Sequence, residues 1–246
     1  MPATPAWPPK SLPRLFLRRP LAADATVVLD PDQANYLGNV LRLGQGAELL
    51  VFDGESGEWL ARITDTGKKR MTLLVERCTR EAESVPDVWL AFAPVKRAQT
   101  DWLVEKATEL GAARLVPIIT HRTIVERVKL ERLQSIAIEA AEQCGRTRLP
   151  AITEPLPLAR FLAERDGART LYFADEAGGE AAATAFQPGA AVILTGPEGG
   201  FTDDERDAIR GQGNVVAISL GPRILRAETA ALAALTIYMA LAGDWR

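Results

Sequence analysis

The sequence predicts an α/β protein. A small strand-rich unit comes first, and a larger domain follows in which strands and helices alternate around a parallel sheet. Three observations carry this. Short apolar or alternating runs, separated by turn signals, fill the first part of the chain. After the charged stretch Arg80-Glu81-Ala82-Glu83-Ser84, closed by Pro86, the pattern changes to β-branched runs alternating with helix-period stretches. Near the C-terminal end two glycine-rich loops, Leu194-Thr195-Gly196-Pro197-Glu198-Gly199-Gly200-Phe201 and Leu220-Gly221-Pro222-Arg223-Ile224-Leu225-Arg226, each follow such a run and precede a helix-like stretch.

In the first unit, residues 14–18, 26–29, 48–52, 59–63 and 71–75 read as strands. Asp30-Pro31, Leu43-Gly44-Gln45-Gly46, Asp53-Gly54 and Thr66-Gly67 are the turns between them. Residues 53–57 read as a hairpin loop and residues 32–42 as a short helix packed across one end. Five or six strands in about seventy residues predict a small barrel or half-barrel. The boundary falls at the charged stretch, giving units of 11–82 and 84–246.

In the second unit, residues 88–93 and 115–119 read as strands. Residues 99–110 form a helix with Leu103, Ala107 and Leu110 on one face, ended by Gly111. Residues 129–144 form another, burying Leu130, Leu133, Ala137, Ala140 and Cys144 and ended by Gly145. Residues 170–174, 191–195 and 215–219 are apolar without alternation, as parallel strands covered on both faces are. Thr202-Asp203-Asp204-Glu205 is a capping box that starts a helix. Residues 226–241 form a long alanine- and leucine-rich helix.

Composition narrows the function. A chain of 246 residues with 47% hydrophobic residues builds packed globular domains. No apolar run reads as membrane-spanning; the longest, residues 227–243, carries Glu228 in its first turn. Residues 1–9 read as a proline-rich disordered arm without a secretion signal. The two cysteines, Cys78 and Cys144, have no metal-ligand spacing and point to a reducing compartment, and one histidine, His121, cannot anchor a multi-histidine metal site, so no metal is expected. The net charge of −3 gives no global pull toward nucleic acid, although Lys10, Arg14, Arg18 and Arg19 form a local basic stretch.

The first glycine loop lacks G-x-x-x-x-G-K-[ST] and G-x-G-x-x-G, which disfavours a nucleoside triphosphate and a dinucleotide. A carboxylate, Glu198, inside a glycine turn at a strand end is badly placed for packing and well placed for a ligand. In the second loop Arg223 and Arg226 stand at a strand-to-helix junction, where arginines hold phosphate, carboxylate or an electron-rich base, or pair with Glu198 or Glu228.

The segments GPEGGFTDDE and SLGPRILRAETA closely resemble the signature of the RsmE family, SPOUT-class methyltransferases of a uridine N3 in small-subunit ribosomal RNA. Lys106-Ala107-Thr108-Glu109-Leu110-Gly111, Glu139-Ala140-Ala141-Glu142-Gln143-Cys144-Gly145-Arg146 and Asn39-Val40-Leu41-Arg42 resemble further family segments in the same order. Where the family often has histidines before the last of these, this chain has Asn35-Tyr36. The resemblance implies a PUA-like β-barrel, then a SPOUT domain with a C-terminal trefoil knot, in a cytoplasmic homodimer. It implies S-adenosylmethionine as cofactor, held by Phe173, Leu194, Thr195, Gly196, Pro197, Gly199, Gly200, Ile218, Ser219, Leu220, Gly221 and Leu225.

Uridine N3 carries a proton that must leave for the nitrogen to attack. Glu198 or Glu228 is the candidate base, directly or through water, and the alternative is orientation alone without a dedicated base. Arg223 or Arg226 is the candidate stabiliser of charge on the flanking carbonyl oxygens. A basic track of Arg14, Arg18, Arg19 and Arg42, with Arg122 and Arg146, is the candidate contact to ribosomal RNA within the assembled subunit. The competing possibilities are a SPOUT enzyme with another RNA target and a non-catalytic assembly factor.

Overall fold

The computed structural model describes residues 12–67, 70–125 and 127–245. The N-terminal arm, with Lys10, lies outside them. The described chain forms two compact units, one ending at Glu83 but also taking in Gly145–Arg148, the other made of Ser84–Cys144 and the remainder from Leu149.

In the first unit, β1 (Arg14–Phe16), β2 (Thr26–Val28), β3 (Glu48–Phe52), β4 (Glu58–Gly67) and β5 (Arg70–Arg80) make one sheet in the order β1-β3-β4-β5-β2. Only β1 and β3 run parallel. The β4–β5 hairpin is longer than the sequence pattern indicates, because register shifts after Glu58, Leu60 and Ile63 break the alternation of its side chains. Leu15, Leu17, Val27, Leu49, Val51, Ile63, Leu73 and Val75 pack as its core.

The predicted short helix is two things. Helix α1 (Pro31–Asn35) starts with an Asp30–Gln33 capping box and passes into a π-helical turn, Tyr36–Val40. That turn leaves Tyr36 and Val40 exposed and puts Arg42 in the left-handed region, φ 57°. Asp53 organises the hairpin loop: its carboxylate accepts from the amides of Leu21, Glu55 and Ser56 and from the Ser56 hydroxyl. Glu83 accepts from the amides of Thr147 and Arg148, which fastens residues 145–148 into this unit.

The second unit is a three-layer α/β/α domain. Its sheet comprises β6 (Val88–Phe92), β7 (Arg114–Ile119), β8 (Ala151–Ile152), β10 (Thr170–Ala174), β11 (Glu180–Ala181), β12 (Ala191–Thr195) and β13 (Val215–Ser219), in the order β11-β13-β10-β12-β6-β7-β8, and β9 (Leu156–Pro157) pairs with β7. All of these pairings are parallel.

Alternate residues of each central strand go to opposite faces. Leu90, Phe92, Tyr172 and Ile193 share one core with helices α2 (Arg97–Glu109), α3 (Leu130–Cys144), α5 (Ala182–Ala185) and α7 (Ala227–Leu241). Ala91, Leu171, Phe173, Val192 and Leu194 share the other with α4 (Leu158–Glu164) and α6 (Asp203–Arg210). Helix α4, which the sequence pattern does not announce, buries Leu158, Phe161 and Leu162. The capping box at Thr202 is present, with Glu205 completing it.

Candidate functional site

The chain runs from β6 outward to β7 and β8, then returns to the other side of β12. The sheet therefore has a switch in strand order beside β12, and ligands of open parallel sheets bind outside the carboxyl ends of strands at such a point. A cleft of about 580 Å³ lies there. It is walled by the loops after β6, β10, β12 and β13 and by the start of α7.

The loop after β12 is a tight turn. The Gly200 amide donates to the Pro197 carbonyl at 2.9 Å, which puts Glu198 and Gly199 at its tip. Its glycines have separate reasons. A Cβ at Gly196 would stand 2.8 Å from the Phe201 ring, and that ring is buried edge-on against Phe173 with centroids 5.2 Å apart. Gly200 has φ 67° and lies where any side chain would strike the Glu176 carboxylate.

Arg122 braces the tip, donating from Nη1 to the carbonyls of Gly199 at 2.6 Å and Phe201 at 3.4 Å. Glu205 holds the adjacent loop by accepting from the His121 amide at 2.8 Å. His121 enters this arrangement through its backbone.

The opposite wall is the segment between β13 and α7. Gly221 has φ 107°, which an L side chain adopts only with strain. Arg223, Ile224 and Arg226 are exposed, and Leu225 is half-buried. Among the described residues no hydrogen bond or ion pair holds the side chains of Glu198, Arg223 or Arg226. Glu198 and these two guanidiniums thus face one cleft with their charges unspent.

The third wall follows β10. Asp175, its side chain fully buried, accepts from Arg210 at 2.6 Å and pairs with Arg206 at 3.3 Å. Arg206 also pairs with Glu176, and with Asp203 at 3.2 Å. This network fixes the Glu176 carboxylate at the cleft wall.

Of the expected cofactor residues, Thr195, Gly196, Pro197, Gly200, Ile218, Ser219, Leu220, Gly221 and Leu225 line the cleft. Phe173 and Leu194 do not; both are wholly buried and point into the core beneath it. Gly199 faces Arg122. Glu228 is 7% exposed, its Oε2 has no hydrogen-bond partner, and it stands in the first turn of α7 outside the cleft lining.

Lys96, Gln99 and Arg206 line the cleft without having been expected. The available signal was position: Lys96 follows β6, the strand next to β12 in the sheet. The expected basic track divides. Arg18, Arg19 and Arg42 are exposed. Arg14 instead pairs with buried Glu58 at 2.7 Å and donates to the Arg146 carbonyl, and Arg146 is 6% exposed and pairs with Glu83 at 3.6 Å. Burial and pairing place both of these guanidiniums in the interior of the first unit.

The size, the bare glycine backbone and the mixed lining of the cleft suit a small amphipathic ligand. Residues 81–239 match the family model of an RNA methyltransferase domain, and residues 29–76 match that of an RNA methyltransferase PUA domain. The class is therefore an RNA methyltransferase with an N-terminal PUA domain. A ribosomal RNA small subunit methyltransferase E of Rickettsia conorii is 32% identical over 90% of this chain and 93% of its own length, and one of Synechocystis sp. is 36% identical over 93% of this chain and 77% of its own. The crystal structure of that enzyme from Neisseria gonorrhoeae, bound to S-adenosyl methionine, superposes with a TM-score of 0.87 at 31% identity, covering 96% of this chain and 100% of that one. The chain belongs to the ribosomal RNA small subunit methyltransferase E family.

Proposed function

We propose that this protein methylates N3 of a specific uridine in small-subunit ribosomal RNA, with S-adenosylmethionine as the methyl donor. The observation that carries the chemistry is the placement of free Glu198 in one cleft with free Arg223 and Arg226. The family membership supports the substrate class.

S-adenosylmethionine supplies an electrophilic methyl group when bound. The residues that would hold it are the backbone of Thr195, Gly196, Gly200, Ser219, Leu220 and Gly221, with apolar Ile218 and Leu225 and the carboxylate of Glu176. Phe173 and Leu194 act from beneath, as the packed floor that sets the ends of β10 and β12.

Glu198 is the better placed of the two candidate bases. It is exposed and lines the cleft, whereas Glu228 is buried and does not. Its carboxylate accepts the N3 proton as the nitrogen attacks. Arg223 or Arg226 donates to the uridine carbonyl oxygens, where the resulting negative charge spreads. Positioning of the uridine by the cleft residues would contribute as well, up to ~7–11 kcal/mol in well-oriented cases. Glu228 belongs to the helix: a carboxylate in the first turn of α7 is favoured by the helix dipole.

The reading includes a trefoil knot, which brings the loops after β12 and β13 to one ligand, and a cytoplasmic homodimer acting on the assembled small subunit. Exposed Trp102, Leu241 and Trp245 are apolar surface available to a second copy. Exposed Arg18, Arg19 and Arg42, with Lys96 at the cleft, supply phosphate contacts.

The test is methyl transfer from labelled S-adenosylmethionine to small subunits isolated from a strain lacking the endogenous enzyme, followed by nucleoside mass analysis. One new N3-methyluridine is expected. A different methylated nucleoside moves the target, and failure to bind S-adenosylmethionine at all refutes the reading in favour of an assembly factor.

A further inference from the structure

The segment between β13 and α7 carries a side chain that neither packing nor cofactor binding explains. Ile224 is 97% exposed, more than any other large hydrophobic residue among the described ones. It stands between Arg223 and Arg226, and all three line the mouth of the cleft. The segment is anchored at both ends: Ser219 closes β13, and Ala227, the first residue of α7, is buried. Pro222 fixes its own φ, and Leu225 turns toward the protein while Ile224 turns away.

We propose that Ile224 is a wedge that enters the base stack of the RNA substrate and holds the target uridine turned out into the cleft. This rests on the RNA methyl-transfer reading above. N3 lies on the pairing edge of uracil, so in a paired or stacked strand it faces a partner base and cannot approach a methyl donor recessed between loops. Enzymes that act on a base take it out of the stack. Apolar side chains, isoleucine among them, are a recurrent means of prising base steps apart. A β-branched side chain suits the task because its χ1 is already restricted.

The charges select this occupant over an apolar protein surface. Two guanidiniums without partners flank the apolar tip, which matches a stack of bases bordered by phosphates. The guanidinium not engaged with a uridine carbonyl is left for the adjacent phosphate. Lys96, exposed at the same cleft, adds a third cation.

The experiment compares wild type with Ile224→Ala and Ile224→Leu on small subunits lacking the modification. A fluorescence measurement accompanies it, using an RNA hairpin that carries 2-aminopurine next to the target uridine. Ile224→Ala is expected to lower kcat/KM by about tenfold or more, the scale of a lost unstacking contribution, while S-adenosylmethionine affinity and sedimentation mass stay at wild-type values. Ile224→Leu retains most of the activity. The 2-aminopurine brightens with wild type and stays quenched with Ile224→Ala. Unchanged kcat/KM in Ile224→Ala, or equal brightening, overturns the wedge alone. A loss of activity accompanied by a fall in sedimentation mass also overturns it, by assigning Ile224 to a contact between copies. Wild type that methylates no RNA overturns the underlying reading, and the wedge with it.

Discussion

Gly200 and Glu176 meet at the cleft wall so closely that any side chain at position 200 must push the Glu176 carboxylate aside. The glycine belongs to the turn after β12 and the glutamate to the loop after β10, so two walls of the site come close together here. The positive φ of Gly200 is a second, independent demand for glycine. Gly200→Ala therefore incurs roughly 1–2 kcal/mol of backbone strain and must also displace the Glu176 carboxylate. A fall in Tm of about 2–4 °C per kcal/mol is expected, with a severalfold or greater loss of S-adenosylmethionine affinity. Thermal melts and calorimetry check it; an alanine variant with wild-type affinity would show that the contact does not shape the site.

The same wall depends on Asp175. Its buried carboxylate serves Arg210 and Arg206, and Arg206 in turn holds Glu176. Asp175→Asn removes the shared anion, takes from Arg210 its carboxylate partner, and leaves Arg206 with only Glu176 and Asp203. The expected destabilisation is on the order of 2–3 kcal/mol, below the 3–5 kcal/mol of a fully buried pair, because half-exposed Arg210 can turn to water. Denaturant melts give the number, and KM for S-adenosylmethionine should rise as Glu176 loses its brace.

The two glutamates separate by kinetics. Glu198→Gln keeps the shape of the turn and removes the proton acceptor, so kcat should fall by roughly 10²–10⁴ with S-adenosylmethionine affinity preserved. Glu228→Gln neutralises a buried carboxylate whose Oε2 lacks a partner, so kcat should stay near wild type. The reverse pattern would transfer the base role to Glu228.

What could be read from sequence follows from where each signal lives. The order of the longer strands and of α2, α3, α6 and α7 was legible because apolar periodicity, capping boxes and terminal glycines are local, as at Gly111 and Gly145, whereas short β8, β9, β11, α4 and α5 were not. The cleft was legible through loop chemistry around Glu198 and Arg223. Arg14 and Arg146 looked like RNA contacts because charge along a chain does not reveal burial; their partners Glu58 and Glu83 lie far away in sequence. Arg206 reads as one more charge in a polar helix, and only the fold brings it to Asp175. Phe173 and Leu194 show the converse: strand alternation sends them under the cleft even though their neighbours form its rim.

Acid should loosen the first unit through Asp53. Burial on its own would raise this carboxyl, but the Ser56 hydroxyl and the amides of Ser56, Glu55 and Leu21 outweigh it and hold it below its ordinary value of 3.8. A folded-state value below the unfolded one stabilises the fold above the unfolded value and loses that contribution as pH falls through the folded one. The Tm difference between wild type and Asp53→Ala should accordingly be constant near neutrality and shrink below about pH 4. A gap that widens in acid would reverse the sign and remove Asp53 from this role.

Arginines of the first unit should divide into two kinds under mutation. The Arg14 side chain is 8% exposed and meets the Glu58 carboxylate, whose side chain is 10% exposed. Its guanidinium also lies 4.6 Å from the centre of the Phe52 ring. Arg14→Ala leaves Glu58 only longer contacts, to Arg80 at 3.3 Å and to the Thr79 hydroxyl at 3.4 Å, and should cost about 3–5 kcal/mol of stability. Arg42 is exposed in a left-handed conformation just after the π-helical turn. Arg42→Ala should leave Tm nearly unchanged, weaken RNA binding, and reduce the slope of log affinity against log salt by about 1 if it neutralises one phosphate. Titrations of RNA at several salt concentrations, run beside melts of both variants, decide it. A salt slope lowered by Arg14→Ala in a protein that remains folded would return Arg14 to the RNA surface, and an unchanged slope in Arg42→Ala would take Arg42 off it.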